Sequence, residues 1–212
     1  MTRNFDKTKS ERIANRGRPP DEFLNTVIDL VIAAPSHLFD TNSEPEDIYG
    51  WLAYKFDDWV TSKGSSSFIQ ARRAVMLEIL RTLGAMESSY NWSQEYDRGG
   101  DGNDIRNWSA GMWQVAAISL TSQARIAGAW ARAEHGYMSS GRLTLTDTRN
   151  FRKQMKTDKS FAVGYTIRVL RETYRHHGPL RRKQHHPTIS RQSSIHPFIS
   201  LEATDEFYGF LS

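Results

Sequence analysis

Glu87 is the residue in this chain best placed to donate a proton. It follows Phe68 to Met86, a stretch with apolar residues at helical spacing, and Met86, Tyr90, Trp92 and Trp113 are at hand to wall it in. Burial against such groups penalises the ionised form of a carboxyl and lifts its pKa toward neutrality, as a general acid requires. The partial negative charge at a helix C-terminus acts in the same direction. An acidic, glycine-rich segment comes next, EYDRGGDGND from Glu95 to Asp104, where Asp97, Asp101 and Asp104 could activate water or stabilise developing positive charge. Asp101 and Asp104 are the choices for such a base, because neighbouring glycines let the backbone approach a substrate closely. The competing reading is a solvated glutamate at a helix end, followed by acids that merely keep a loop wet.

Around that segment stand Tyr90, Trp92, Tyr96, Trp108 and Trp113, whose flat faces suit the apolar faces of sugar rings, with ordinary core packing as the alternative. The stretch Gly99 to Asn107, GGDGNDIRN, fits a calcium nonapeptide once, and one copy cannot build a stacked calcium roll. His176, His177, His185 and His186 lie as adjacent pairs in a basic tail without convergent carboxylates, so a solvated surface is expected there. Neither a metal nor a cofactor is expected.

The segment from Ala85 to Ser119 resembles the lysozyme-like superfamily, especially the lytic transglycosylases and goose-type lysozymes. In those families a Glu-Ser pair closes a helix and a Gly-Leu-Met-Gln-like motif opens the next one. Here the pair is Glu87-Ser88 and the second motif is Gly111-Met112-Trp113-Gln114. The resemblance covers roughly the middle third of the chain. It implies a mainly α, lysozyme-like helical domain with a long acidic active-site loop and a few short strands, and cleavage of peptidoglycan glycan strands with Glu87 as general acid. The resembling families use the positions of Ser88 and Gln114 for hydrogen bonding or for holding the cleft, and these two, with Tyr90, Trp92, Trp108, Gly111, Met112 and Trp113, are the residues expected at the substrate. The Ala-Tyr-Asn-x-Gly element usual in transglycosylases is absent; Arg175-His176-His177-Gly178-Pro179 shares only its ending. Hydrolysis and transglycosylation therefore both stay open.

The elements that must position these groups read as helices. Asp21 to Ala34 carries Phe23, Leu24, Val27, Ile28, Leu30 and Val31 at helical spacing and stops at Pro35. Further helices are expected over Glu44 to Val60 and over Phe68 to Met86, the latter with Arg72, Arg73 and Arg81 on its wetter sides. Ala110 to Ala133 reads as a buried helix at the centre of the domain. Thr146 to Lys156, Lys159 to Arg175 and Leu201 to Leu211 follow, and short strands could form between Tyr90 and Trp108. Met1 to Arg18 lacks apolar periodicity and is expected to be a mobile basic arm, with one domain over residues 19–212.

There are 212 residues, enough for one substantial core, and no cysteine, which excludes disulfides, thiolate nucleophiles and Cys-ligated zinc. No apolar run is long enough for a membrane span, and the opening residues lack the apolar stretch of a secretory signal. Synthesis in the cytoplasm is expected, with action in the periplasm or cell wall after specialised secretion or phage lysis. A secretion machine or an immunity protein would then be a partner. The net charge of +4 favours anionic partners, among them carboxylate-bearing wall polymers. A noncatalytic helical module binding nucleic acid through Arg171 to Lys183 is the rival reading, and the acidic loop argues against it.

Overall fold

A single helix, α5 (Phe68–Ser88), runs through the middle of the molecule, and fifteen of its 21 residues are buried. The computed structural model describes residues 3–42, 47–51, 53–95, 104–121, 125–172 and 196–211. Among the described residues the protein is mainly α. Around α5 lie α1 (Asp6–Ser10), α2 (Asp21–Ala33), α3 (Ile48–Trp51), α4 (Asp57–Ser62) and α6 (Arg125–His135), with α7 (Leu145–Thr157), α8 (Lys159–Glu172) and α9 (Leu201–Phe210). A two-stranded antiparallel ribbon, β1 (Ser109–Ala110) and β2 (Val115–Ala116), pairs Ser109 with Ala116 and Ala110 with Val115.

Helices α2, α5, α7, α8 and α9 follow their apolar periodicity closely. In α2, Phe23, Leu24, Val27, Ile28 and Val31 are buried, and the chain leaves the helix at Ala34 in the extended conformation that a following proline favours. Helix α7 starts with a reciprocal cap: the Thr144 hydroxyl accepts the Asp147 N–H, and the Asp147 carboxylate accepts the Thr144 N–H. Asp158 ends α7 and accepts the N–H of Phe161 in the first turn of α8. An aromatic core of Tyr137, Phe151, Phe161 and Tyr165 then fills the space between α7, α8 and the end of α6.

Five expectations are corrected. Ala110 to Ala133 is not one central helix: residues 109–116 form the ribbon, Ala117–Leu120 is a 3-10 turn, and α6 begins only at Arg125. Gly111 at φ +74° and Gln114 at φ +49° are left-handed, a conformation that no helix interior accepts. The strands of the described residues lie after Trp108, and residues 96–103 of the stretch before it lie outside the described residues. Glu44 to Val60 is broken into α3, a 3-10 turn at Ala53–Phe56, and α4. Gly50, a poor helix former, stands in its first part.

Arg72 and Arg81 point inward. Arg81 is 1% exposed and forms a bidentate pair with the fully buried Glu78, both bonds at 2.7 Å. Arg72 donates to the carbonyls of Phe39 and Asp40. The basic arm is docked over residues 3–18. Phe5 packs edge-on against Phe210, Ile13 is fully buried, and the Glu206 carboxylate accepts the N–H groups of Lys7 and Thr8. Single anchors of this kind leave no periodic trace. Finally, Arg171, the first residue of the basic segment, is buried and paired through Nε and Nη2 with Asp47 at 2.9 and 3.1 Å, so it cannot offer its charge to a phosphate. Residues 173–183 lie outside the described residues, as do the four histidines of the tail.

Candidate active site around Glu87

Helix α5 ends in an unusual way. Ser89 and Tyr90 are both left-handed, at φ +53° and +66°, a conformation that costs a residue with a Cβ unless its surroundings hold it. Ser89 N–H donates to the Ala85 carbonyl at 2.9 Å and Tyr90 N–H to the Gly84 carbonyl at 3.1 Å. Ser88 ties the turn to the helix, donating from Oγ to the Gly84 carbonyl and accepting the Asn91 N–H, each at 3.1 Å. Tyr90 is buried against Phe23, at 5.1 Å between ring centroids, and burial raises its phenol pKa to about 12. The Glu-Ser pair thus performs two tasks: Ser88 fixes the end of the helix, and Glu87 is presented from its last turn.

Glu87 is half-buried. Among the described residues no side chain or backbone N–H donates a hydrogen bond to its carboxyl, and Arg16 is the charge that opposes the effect of burial. Desolvation lifts the pKa to about 7. A carboxyl in this state is protonated at neutral pH in an appreciable fraction of molecules and can both give up and recover a proton there. The expected elevation of Glu87 is therefore matched by its surroundings.

The second motif is pressed against α5 one turn earlier. A Cβ on Gly84 would lie 3.2 Å from Met112 Sδ and 3.4 Å from Trp113 Nε1, and Trp113 Nε1–H donates to the Leu80 carbonyl at 2.9 Å. Gly111 cannot be replaced without displacement, because a Cβ there would meet the Met155 carbonyl oxygen of α7 at 2.3 Å, on a backbone already at φ +74°. Its N–H donates to the Gln94 carbonyl, which joins the turn after Glu87 to the ribbon. Gln114 locks the ribbon's turn: its Nε2 donates to the Gly111 carbonyl at 2.8 Å and its Oε1 accepts the Ser109 hydroxyl at 2.9 Å.

Several residues expected at the substrate are therefore in the core instead. Met112 is fully buried, Trp113 is 3% exposed, and Ser88 and Tyr90 are also buried. They shape the ground on which Glu87 stands and do not present a surface. Trp92 and Trp108 remain partly exposed; Trp92 meets the edge of Trp113 at 5.4 Å, and Lys159 Nζ lies 5.4 Å over its ring. Asp104 accepts the N–H of Arg106 and is chelated by the same residue's guanidinium, at 2.6 Å in its shortest contact, which holds its carboxyl below the ordinary carboxylate range. Asp101, with Asp97 and Tyr96, lies outside the described residues.

Two sets of residues escaped the sequence reading. Arg16 is one, brought near Glu87 by the docked arm. The other is Arg152 and Lys156, which are four apart and share a face of α7 beside Trp108; that spacing was visible in the sequence. A cavity of about 200 Å³ lined by Thr41, Asn42, Asp47, Tyr49 and Arg72 includes none of the expected site residues. Among the described residues no helix is long and apolar enough to cross a membrane, and no three His, Cys, Asp or Glu side chains converge as metal ligands.

No family model, curated protein or solved structure matches this chain.

Proposed function

We propose that this protein cleaves the glycan strands of peptidoglycan, as a lysozyme-like muramidase or lytic transglycosylase, with Glu87 as the proton donor. The observation that carries the reading is the half-buried carboxyl of Glu87, free of hydrogen-bond donors among the described residues and poised near neutrality at the end of the central helix. Glycosidic oxygen is a poor leaving group until it is protonated. A neutral Glu87 supplies that proton as the bond to the anomeric carbon breaks, leaving an oxocarbenium-like sugar and an ionised Glu87. Water, or the sugar's own hydroxyl in a transglycosylase, then adds to the anomeric carbon, and Glu87 takes up the proton released. The net charge of +4 suits a wall that carries lactyl and peptide carboxylates. On this reading the site of action is the periplasm or cell wall, where the substrate lies.

Mass spectrometry of purified peptidoglycan after digestion tests this. Soluble muropeptides are expected, with reducing ends from a hydrolase or anhydro ends from a transglycosylase; intact sacculi after prolonged incubation would end the proposal. Asp104 contributes little in this scheme, since its carboxylate is engaged by Arg106 and lowered in basicity. Asp104→Asn should cost less than about tenfold in cleavage rate, and a greater loss in turbidity assays would return Asp104 to the role of general base.

A further inference from the structure

Beside the ribbon, α7 presents two cations to a single loop carboxylate. Arg152 Nη2 contacts Glu95 Oε2 at 3.2 Å, and Lys156 Nζ holds the other oxygen, Oε1. The cations are largely covered, with 15% and 22% of their side chains exposed, whereas Glu95 is 64% exposed. Arg152 also lies 5.3 Å over the Trp108 ring, and its Nε is buried with no hydrogen-bond partner. A guanidinium binds a carboxylate best through two parallel N–H donors. Glu95 takes only one from Arg152, so the pairing is incomplete.

We propose that Arg152, Lys156 and Trp108 form a subsite for a carboxylate-bearing sugar of the substrate, and that Glu95 occupies it as a placeholder in the free protein. The inference rests on the glycan-cleaving reading above and names the substrate feature that this face of the protein recognises. The Glu95 carboxylate is itself 64% exposed and stays hydrated as it swings out, while two covered, pre-positioned cations remain behind. An incoming carboxylate can then take both Nε and Nη2 of Arg152 and the ammonium of Lys156, with the sugar ring beside the partly exposed Trp108. Helix α7 is fixed relative to Glu87 by the ribbon, since Met155 backs Gly111 and Trp113 is bonded to Leu80. Sequence alone suggests the opposite role for Glu95, as one more acid of an acidic loop.

The test is a binding titration in the Glu87→Gln background, which keeps the glycan intact. Two probes are compared: soluble uncrosslinked peptidoglycan strands with their carboxylates, and a neutral N-acetylglucosamine hexamer. Glu95→Gln should tighten binding of the charged strands by about threefold and leave the hexamer unchanged. Arg152→Gln with Lys156→Gln should weaken the charged strands by about tenfold, again sparing the hexamer. Melting curves check that the double variant folds; if it does not, the Glu95→Gln arm decides. An unchanged or weakened affinity in Glu95→Gln, or equal shifts for both probes, overturns the subsite. Cleavage by the otherwise unmodified protein is read separately, so charge-selective binding without cleavage would strike the glycosidase reading and leave the subsite standing.

Discussion

Glu87→Gln is expected to lower glycan cleavage by about a hundredfold or more while leaving the fold intact. Gln keeps the volume and can hydrogen-bond to the glycosidic oxygen, but it has no proton to transfer as the bond breaks. The same substitution should show in the stability curve, with a sign fixed by the direction of the pKa shift. In the folded protein the carboxyl holds its proton up to about pH 7, against a value of 4.5 without burial. Its contribution is fully present below about pH 4.5. As pH rises the unfolded chain ionises first, and the contribution is gone once pH passes about 7. Above that pH the Gln variant should be the more stable, by roughly 3 kcal/mol. Below pH 4.5 the two should converge. On the proposed reading, cleavage by the unmodified protein should carry an alkaline limb near pH 7, and paired rate and melting profiles read both. A folded Glu87→Gln protein that digests peptidoglycan at close to the normal rate would remove the central claim.

Trp113→Ala is expected to act on folding before chemistry. The ring is 3% exposed, its Nε1–H is spent on the Leu80 carbonyl, and it meets Trp92 edge-on at 5.4 Å. Truncation leaves a void between α5 and the ribbon, with a loss of about 3–5 kcal/mol. For a chain of 212 residues that corresponds to a fall in Tm of ~10 °C. Trp113→Phe retains most of the packing and gives up the hydrogen bond, so it should lose markedly less. Activity per folded molecule should fall less than about tenfold in both. A Trp113→Ala protein with an ordinary Tm and severely reduced cleavage would put the ring at the substrate after all.

Sequence made legible what is repeated along the chain. The apolar spacing in α2, α5, α7, α8 and α9 located those helices within a few residues, because each buries one continuous stripe. Glu87 stood out as a candidate by its place at the end of such a stripe and by the residues that follow it. What escaped was set by single residues acting across distance. Gly111 and Gln114 turn the chain where alanine-rich composition reads as helix, and only the Met155 carbonyl beneath Gly111 explains why. Arg81 looks like a surface residue until Glu78, three positions earlier, is seen to be buried with it. The arm looked free because Phe5 and Ile13 stand alone in polar sequence, and the ring that receives Phe5 belongs to α9, some two hundred positions later. Acid clusters misled in another way: Asp104 is spoken for by Arg106, and Glu95 by two cations contributed from a helix more than fifty positions away.

The packing of α9 on α5 bears on how the chain is made. The buried Glu78 carboxylate receives the backbone N–H of Ser200 at 2.7 Å as well as the Arg81 guanidinium, and Ala203 and Phe207 of α9 are buried against the same core. During synthesis α5 leaves the ribosome long before those partners exist. Until α9 has emerged, one flank of the helix that carries Glu87 is bare to water and the Glu78 carboxylate lacks its Ser200 donor, so α5 is completed only by a long-range contact. Apolar surface left bare on a central helix until a distant segment arrives is the kind of transient exposure that makes a folding chain prone to aggregation.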